Sequence, residues 1–131
     1  MILVDSNVWI FAATENAPER QIALDQLALS LPTDVVVNGI IFSEVFHRFR
    51  QLFGVAPARE KVTEIVHHPS VHWLDVGKAD AEEAMKLSEK HSIRINDAII
   101  AGQALRLKVP VLTDNVRDFR RVKGLKVVPL R

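Results

Sequence analysis

Cysteine is absent from the 131-residue chain, which excludes disulfides, iron–sulfur clusters and thiolate zinc sites. Any metal ion has to be held by oxygen or by histidine nitrogen, and oxygen donors favour hard cations. Glycine is sparse too, five in all; neither GxGxxG nor a Walker-A loop occurs, so dinucleotide and P-loop nucleotide sites lack their backbone cradle. No window approaches the roughly 18 apolar residues of a membrane span. The opening MILVDSNVWI carries an acid at position 5 instead of the basic start and long apolar run of a signal peptide. A soluble, cytoplasmic protein with no membrane association is the expectation. The five histidines show no HExxH or similar ligand spacing; His67 and His68, just before Pro69, suit a helix C-terminus instead.

What is present is ordinary globular material. Hydrophobic residues make up 48% and charged residues 25%, enough apolar content for a core, and the length suits one domain spanning 1–131. Net charge is only +1, but it is unevenly spread. The last 17 residues carry Arg117, Arg120, Arg121, Lys123, Lys126 and Arg131 against the single acid Asp118. Such a tail either meets phosphates or forms a solvated surface.

Short apolar runs alternate with longer amphipathic segments. The runs at 2–4, 34–39, 71–76, 109–113 and 125–130 read as strands, several rich in β-branched residues. Between them, helices are expected from Ser6 or Asn7, from Pro18 to Leu31 or Pro32, and over 39–54, 57–68, 78–91 and 95–108, with a short helical turn in NVRDFRR. Phe42, Phe46, Phe49 and Phe53 share one face of the third helix, and Glu44 points away from it with His47 and Gln51. Trp9 and Trp73 are expected to fill core or interface space. The alternation implies an α/β fold, a mostly parallel sheet with helices on both faces.

In open parallel sheets, sites lie outside the carboxyl ends of strands. Asp5 follows the first strand and Asp114 the fourth; Asp97 lies in the first turn of its helix and Glu44 early in another. Each has a bland reading: a helix cap for Asp5 or Asp114, dipole pairing for Asp97, a solvated polar face for Glu44, a surface ion pair with Arg117 or Arg121 for Asp118. Gathered at one sheet edge, though, they repel each other unless a cation neutralises them. Oxygen-only ligands then indicate Mg2+ or Mn2+, and the chemistry such an ion serves is phosphodiester hydrolysis. An aspartyl-phosphate enzyme is disfavoured because Asn7 stands where a second acid would be needed, two residues after Asp5.

LVDSN at 3–7, SEV at 43–45, RINDAIIAGQAL at 94–105 and VLTDNVRDF at 111–119 resemble, in order and spacing, the PIN-domain ribonucleases, especially the VapC-type toxins of toxin–antitoxin modules. The resemblance implies a three-layer α/β/α fold and a magnesium- or manganese-dependent endoribonuclease. It also implies a cognate antitoxin partner and a homodimer. Asp5, Glu44 and Asp97 match the family's acids, while Ser6 and Asn7 match polar positions that orient the first acid, with Thr113 in support. The fourth acid is open between Asp114 and Asp118, with a slight preference for Asp114 at the strand end. Arg117, Arg120 and Arg121 would meet the RNA backbone. The alternative is a non-catalytic RNA-binding or interaction module on the same fold.

Overall fold

The computed structural model describes residues 1–131. In chain order the elements are β1 (Ile2–Val4), α1 (Ser6–Ala13), α2 (Arg20–Ser30), a 3-10 turn (Leu31–Thr33), β2 (Val35–Asn38), α3 (Gly39–Phe53), α4 (Val55–His67), β3 (Val71–Leu74), α5 (Lys78–His91), α6 (Ile95–Leu107), β4 (Val111–Thr113), α7 (Val116–Phe119) and β5 (Val127–Pro129). All five strands are parallel, in the order β3-β2-β1-β4-β5. Leu3, Val4, Val35, Val37, Val111 and Leu112 are buried almost completely, as strands covered on both faces must be. The expected three-layer α/β/α sandwich is therefore the observed fold. No helix is long and apolar enough to cross a membrane.

The strand order matters for function. From β1 the chain winds outward through β2 to β3, then returns to pair β4 against the other side of β1. That reversal leaves a crevice outside the carboxyl ends of β1 and β4, the position where ligands bind in open parallel sheets.

Element bounds differ from the sequence reading mainly by trimming at strand ends. Two helix starts move as well, α2 beginning at Arg20 and not at Pro18, and α4 at Val55 and not at Pro57. Gly54, at φ +89°, ends α3 and starts α4 within one residue, a conformation that L side chains rarely adopt.

A larger departure concerns α3. Its fully buried face is Ile41, Val45 and Phe49, whereas Phe42, Phe46 and Phe53 are only partly buried. Phe42 stacks on Phe46 and meets Trp73 edge-on at a centroid distance of 5.7 Å, and Trp73 is itself 48% exposed. The core stripe is thus rotated by part of a turn from the phenylalanine stripe. Glu44 consequently sits on the flank of the buried face and not opposite it. His47 and Gln51 are exposed as expected; Glu44 is half-buried.

A buried polar link was invisible in the sequence. Gln103, fully buried on α6, accepts from Asn38 Nδ2 at 2.7 Å and donates through Nε2 to the Asp75 carbonyl and to Asp80 Oδ2. The side-chain oxygen of Asn38 in turn caps α3 by accepting from Ile41 N–H. This network fixes α6 and α3 against the carboxyl end of β2, so the two helices that carry Asp97 and Glu44 share one anchor.

Candidate metal centre

Asp5 leaves β1 at its carboxyl end and is 4% exposed. One oxygen accepts the Ser6 N–H at 2.8 Å, which makes Asp5 the N-cap of α1. The other accepts from the Thr113 hydroxyl at 2.7 Å and from Asn7 Nδ2 at 3.2 Å. Capping and site membership thus coincide in one carboxylate. Asn7 spans the crevice, because its Oδ1 accepts the Asp114 N–H from the end of β4.

Asp97, in the first turn of α6, is 3% exposed. Its Oδ2 lies 3.5 Å from Arg94 Nε and accepts from Asn115 Nδ2 at 3.3 Å. The same Asn115 amide donates to Asp118 Oδ2 at 3.2 Å, so one side chain joins two acids from α6 and α7. Glu44 on α3 reaches Arg94 Nη2 at 3.9 Å.

Burial sets the electrostatics. The Asp5 carboxyl is pushed above its ordinary 3.8 first by loss of water, with hydrogen bonds from Thr113 and Ser6 opposing and the Asp97 charge adding. Glu44 rises above 4.5 for the same first reason, then through repulsion from Asp5 and Asp97, with Arg94 opposing. Asp97 rises by desolvation and by the Asp118 charge, again with Arg94 opposing. Three carboxylates that each lack water and sense one another's charge have an excess of negative potential that a cation relieves.

The two acids of VLTDNVRDF separate here. Asp114, preferred from its place at the strand end, is held bidentately by Arg131, at 3.0 Å to Oδ1 and 3.2 Å to Oδ2. Arg131 also reaches Glu19 at 3.2 Å. Asp118, one helical turn on, shares Asn115 with Asp97 and pairs with Arg121 at 3.7 Å. The two acids are thus held by different partners, Asp114 by Arg131 and Asp118 by Arg121 and Asn115. Arg117 and Arg120 are exposed at α7, whereas Arg121 is tied to Asp118 and to the Ser92 carbonyl.

A family model for the PIN domain matches residues 2–125. The chain belongs to the PIN-domain family. Solved structures with the same PIN fold include VapC20 of Mycobacterium tuberculosis, a sarcin-ricin loop cleaving toxin, at TM-score 0.81 and 19% identity over 98% of this chain and 100% of that one. VapBC2 of Rickettsia felis, bound to a DNA fragment from its promoter, superposes at 0.77 with 16% identity, covering 98% of both chains. VapBC-1 of nontypeable Haemophilus influenzae gives 0.76 with 22% identity, over 99% of this chain and 98% of that one. No curated protein matches the chain in sequence.

The donor set of this PIN domain fits a hard divalent cation: carboxylates and amide or hydroxyl oxygens, in a chain without cysteine. As the side chains stand, no three acids or histidines converge closely enough to chelate one ion. Glu44 and Asp97 are turned onto Arg94, and Asp5 is turned onto its own donors. The sequence reading gives Arg94 and Asn115 no role, and Arg131 only a place in the basic tail. Arg94 lay within a recognised motif, and its spacing of three from Asp97 on a helix start was the available signal.

Proposed function

We propose that this PIN domain is a magnesium- or manganese-dependent endoribonuclease and the toxin of a toxin–antitoxin pair. The observation that carries this reading is the gathering of Asp5, Glu44, Asp97 and Asp118 at the crevice between β1 and β4, three of them desolvated and held above their ordinary protonation range. Family membership and the toxin folds of the structural neighbours support it.

In this reading Asp5 and Asp97 are the principal metal ligands, with Glu44 and Asp118 completing the set. When bound, the ion supplies Lewis acidity for hydrolysis of an RNA phosphodiester bond. Thr113, Ser6 and Asn7 fix the orientation of Asp5. Glu44, half-buried and raised, is suited to take a proton from the attacking water. Arg117 and Arg120, exposed on the rim, meet the RNA backbone. The antitoxin is assigned to the α3–α4 pair, which leaves Leu52 and Val55 exposed. The functional unit is a homodimer.

Purified protein is expected to cut RNA with Mg2+ or Mn2+ and to stop on chelation. Asp5→Asn or Asp97→Asn is expected to abolish cutting in a protein with unchanged circular dichroism. Equal cutting by wild type and both variants sinks the proposal. RNA binding with steep salt dependence but no metal-dependent cutting points to a binding module instead.

A further inference from the structure

Arg94 is the N-cap residue of α6, with extended backbone (φ −63°, ψ 148°) and no capping hydrogen bond. Its side chain is 71% exposed, yet its guanidinium stands between two acids from different helices, Asp97 on α6 at 3.5 Å and Glu44 on α3 at 3.9 Å. Both distances exceed those of charge-assisted hydrogen bonds, which run near 2.7–2.9 Å. These are loose pairs, open to water, of the kind that contribute little and exchange readily. A guanidinium is nevertheless the right shape for the place, since its planar fork reaches two carboxylates at once.

The same two carboxylates are wanted by a divalent cation such as Mg2+, which binds oxygen at about 2.0–2.1 Å. A guanidinium and a metal ion cannot both lie between them, because they compete for the same lone pairs and repel each other. We infer that Arg94 is a built-in counter-ion that holds Glu44 and Asp97 in the metal-free protein and is displaced when the divalent ion binds. This rests on the cation site proposed above. Three features support it: the acids fail to converge as they stand, the Arg94 guanidinium faces both Glu44 and Asp97, and its exposure leaves it a path into solvent. By linkage, metal binding and Arg94 release favour each other to the same degree. The freed fork is then left at the rim of the site on the solvent side.

The test is Mn2+ binding by calorimetry to wild type, Arg94→Gln and Arg117→Gln, together with the Arg94 Nε–Hε resonance of 15N-labelled wild type during Mg2+ titration. Arg94→Gln is expected to bind Mn2+ about fivefold more tightly than wild type. Arg117→Gln removes a nearby exposed charge that touches no acid, and is expected to stay within about twofold. The Arg94 resonance is expected to shift along the same binding curve as the metal. Equal or weaker Mn2+ binding by folded Arg94→Gln overturns the inference and leaves the cation site standing. An unmoved Arg94 resonance at saturating Mg2+ does the same, and decides the matter should the variant misfold. Absence of Mn2+ binding to wild type overturns both.

Discussion

Replacing Thr113 by valine removes one hydroxyl with almost no change of shape. Thr113 is fully buried at the end of β4. Its Oγ1 donates to Asp5 at 2.7 Å and accepts the Asn115 N–H at 2.9 Å and Asn7 Nδ2 at 3.4 Å. A hydrogen bond to a charged acceptor contributes about 1.5–3 kcal/mol, and leaving a buried N–H unpaired costs roughly 1 kcal/mol or more. The expected loss with Asp5 ionised is therefore about 3 kcal/mol, or about 10 °C in Tm for a domain of this size. Valine is close to threonine in volume, so the cavity left is negligible and the lost hydroxyl carries the effect. The pH dependence separates this mechanism from a packing defect. The Thr113 bond favours the ionised carboxyl and opposes the rise caused by burial, so its removal raises the folded value further. The penalty is full above that value and shrinks below it, where a neutral pair contributes only about 1 kcal/mol. Denaturation in urea with chelator, over a pH series descending from about pH 9, follows the loss as the carboxyl becomes neutral. A loss under about 1 kcal/mol at the higher pH, or one that does not shrink on acidification, refutes the reasoning.

The raised values of Asp5, Glu44 and Asp97 mean that folding favours their protonated forms in the metal-free protein. The stability they contribute is complete below the ordinary carboxyl range and lost as pH rises through the raised folded values. A divalent ion needs them ionised, so the Tm gain from added Mg2+ is expected to grow with pH across that interval; a scan giving the same gain at every pH contradicts this. Asp118→Asn is expected to weaken Mn2+ binding about tenfold while Asp114→Asn leaves it within about twofold, as read by calorimetry; the reverse order would return the fourth ligand to Asp114. Gln103→Leu strands Asn38 Nδ2 and is expected to cost about 2 kcal/mol in chemical denaturation. A variant as stable as wild type would show that Asn38 finds another partner.

The strand and helix order was legible because it rests on short-range signals. Buried parallel strands read as unbroken apolar runs such as VVV at 35–37, and Asn38 and Asp5 announce helix starts by capping chemistry. The acids were legible as a set because strand ends and helix starts are countable along the chain. The rotation of α3 was not. Aromatic residues drew the stripe toward Phe42 and Phe46, whereas packing chose the smaller Ile41 and Val45 for the face against the sheet and left the rings to one another and to Trp73. That choice depends on the sheet surface opposite, which local periodicity does not contain. Gln103 and Arg131 were silent for the same reason: their partners lie 65 and 17 residues away.

The two acids in the basic tail show how this failure works at the scale of a site. From the strand end alone, Asp114 is the nearer candidate and Asp118 the spare. In three dimensions the tail's own cations hold the two acids differently. Arg131 closes a two-toothed grip on Asp114 and extends to Glu19, joining the start of α2 to the end of β4. Asp118 has only the looser Arg121 and shares an amide with Asp97. A carboxylate held bidentately on a guanidinium engages both oxygens, and turning it to a metal breaks two hydrogen bonds. One singly paired and half-exposed acid beside Asp97 needs only a side-chain rotation. Two of the six tail cations, Arg121 and Arg131, are thus paired with carboxylates, which leaves Arg117, Arg120, Lys123 and Lys126 without one, all of them exposed. The basic tail divides into residues that hold acids in place and residues free to meet phosphate, and the division follows from which acid each guanidinium can reach.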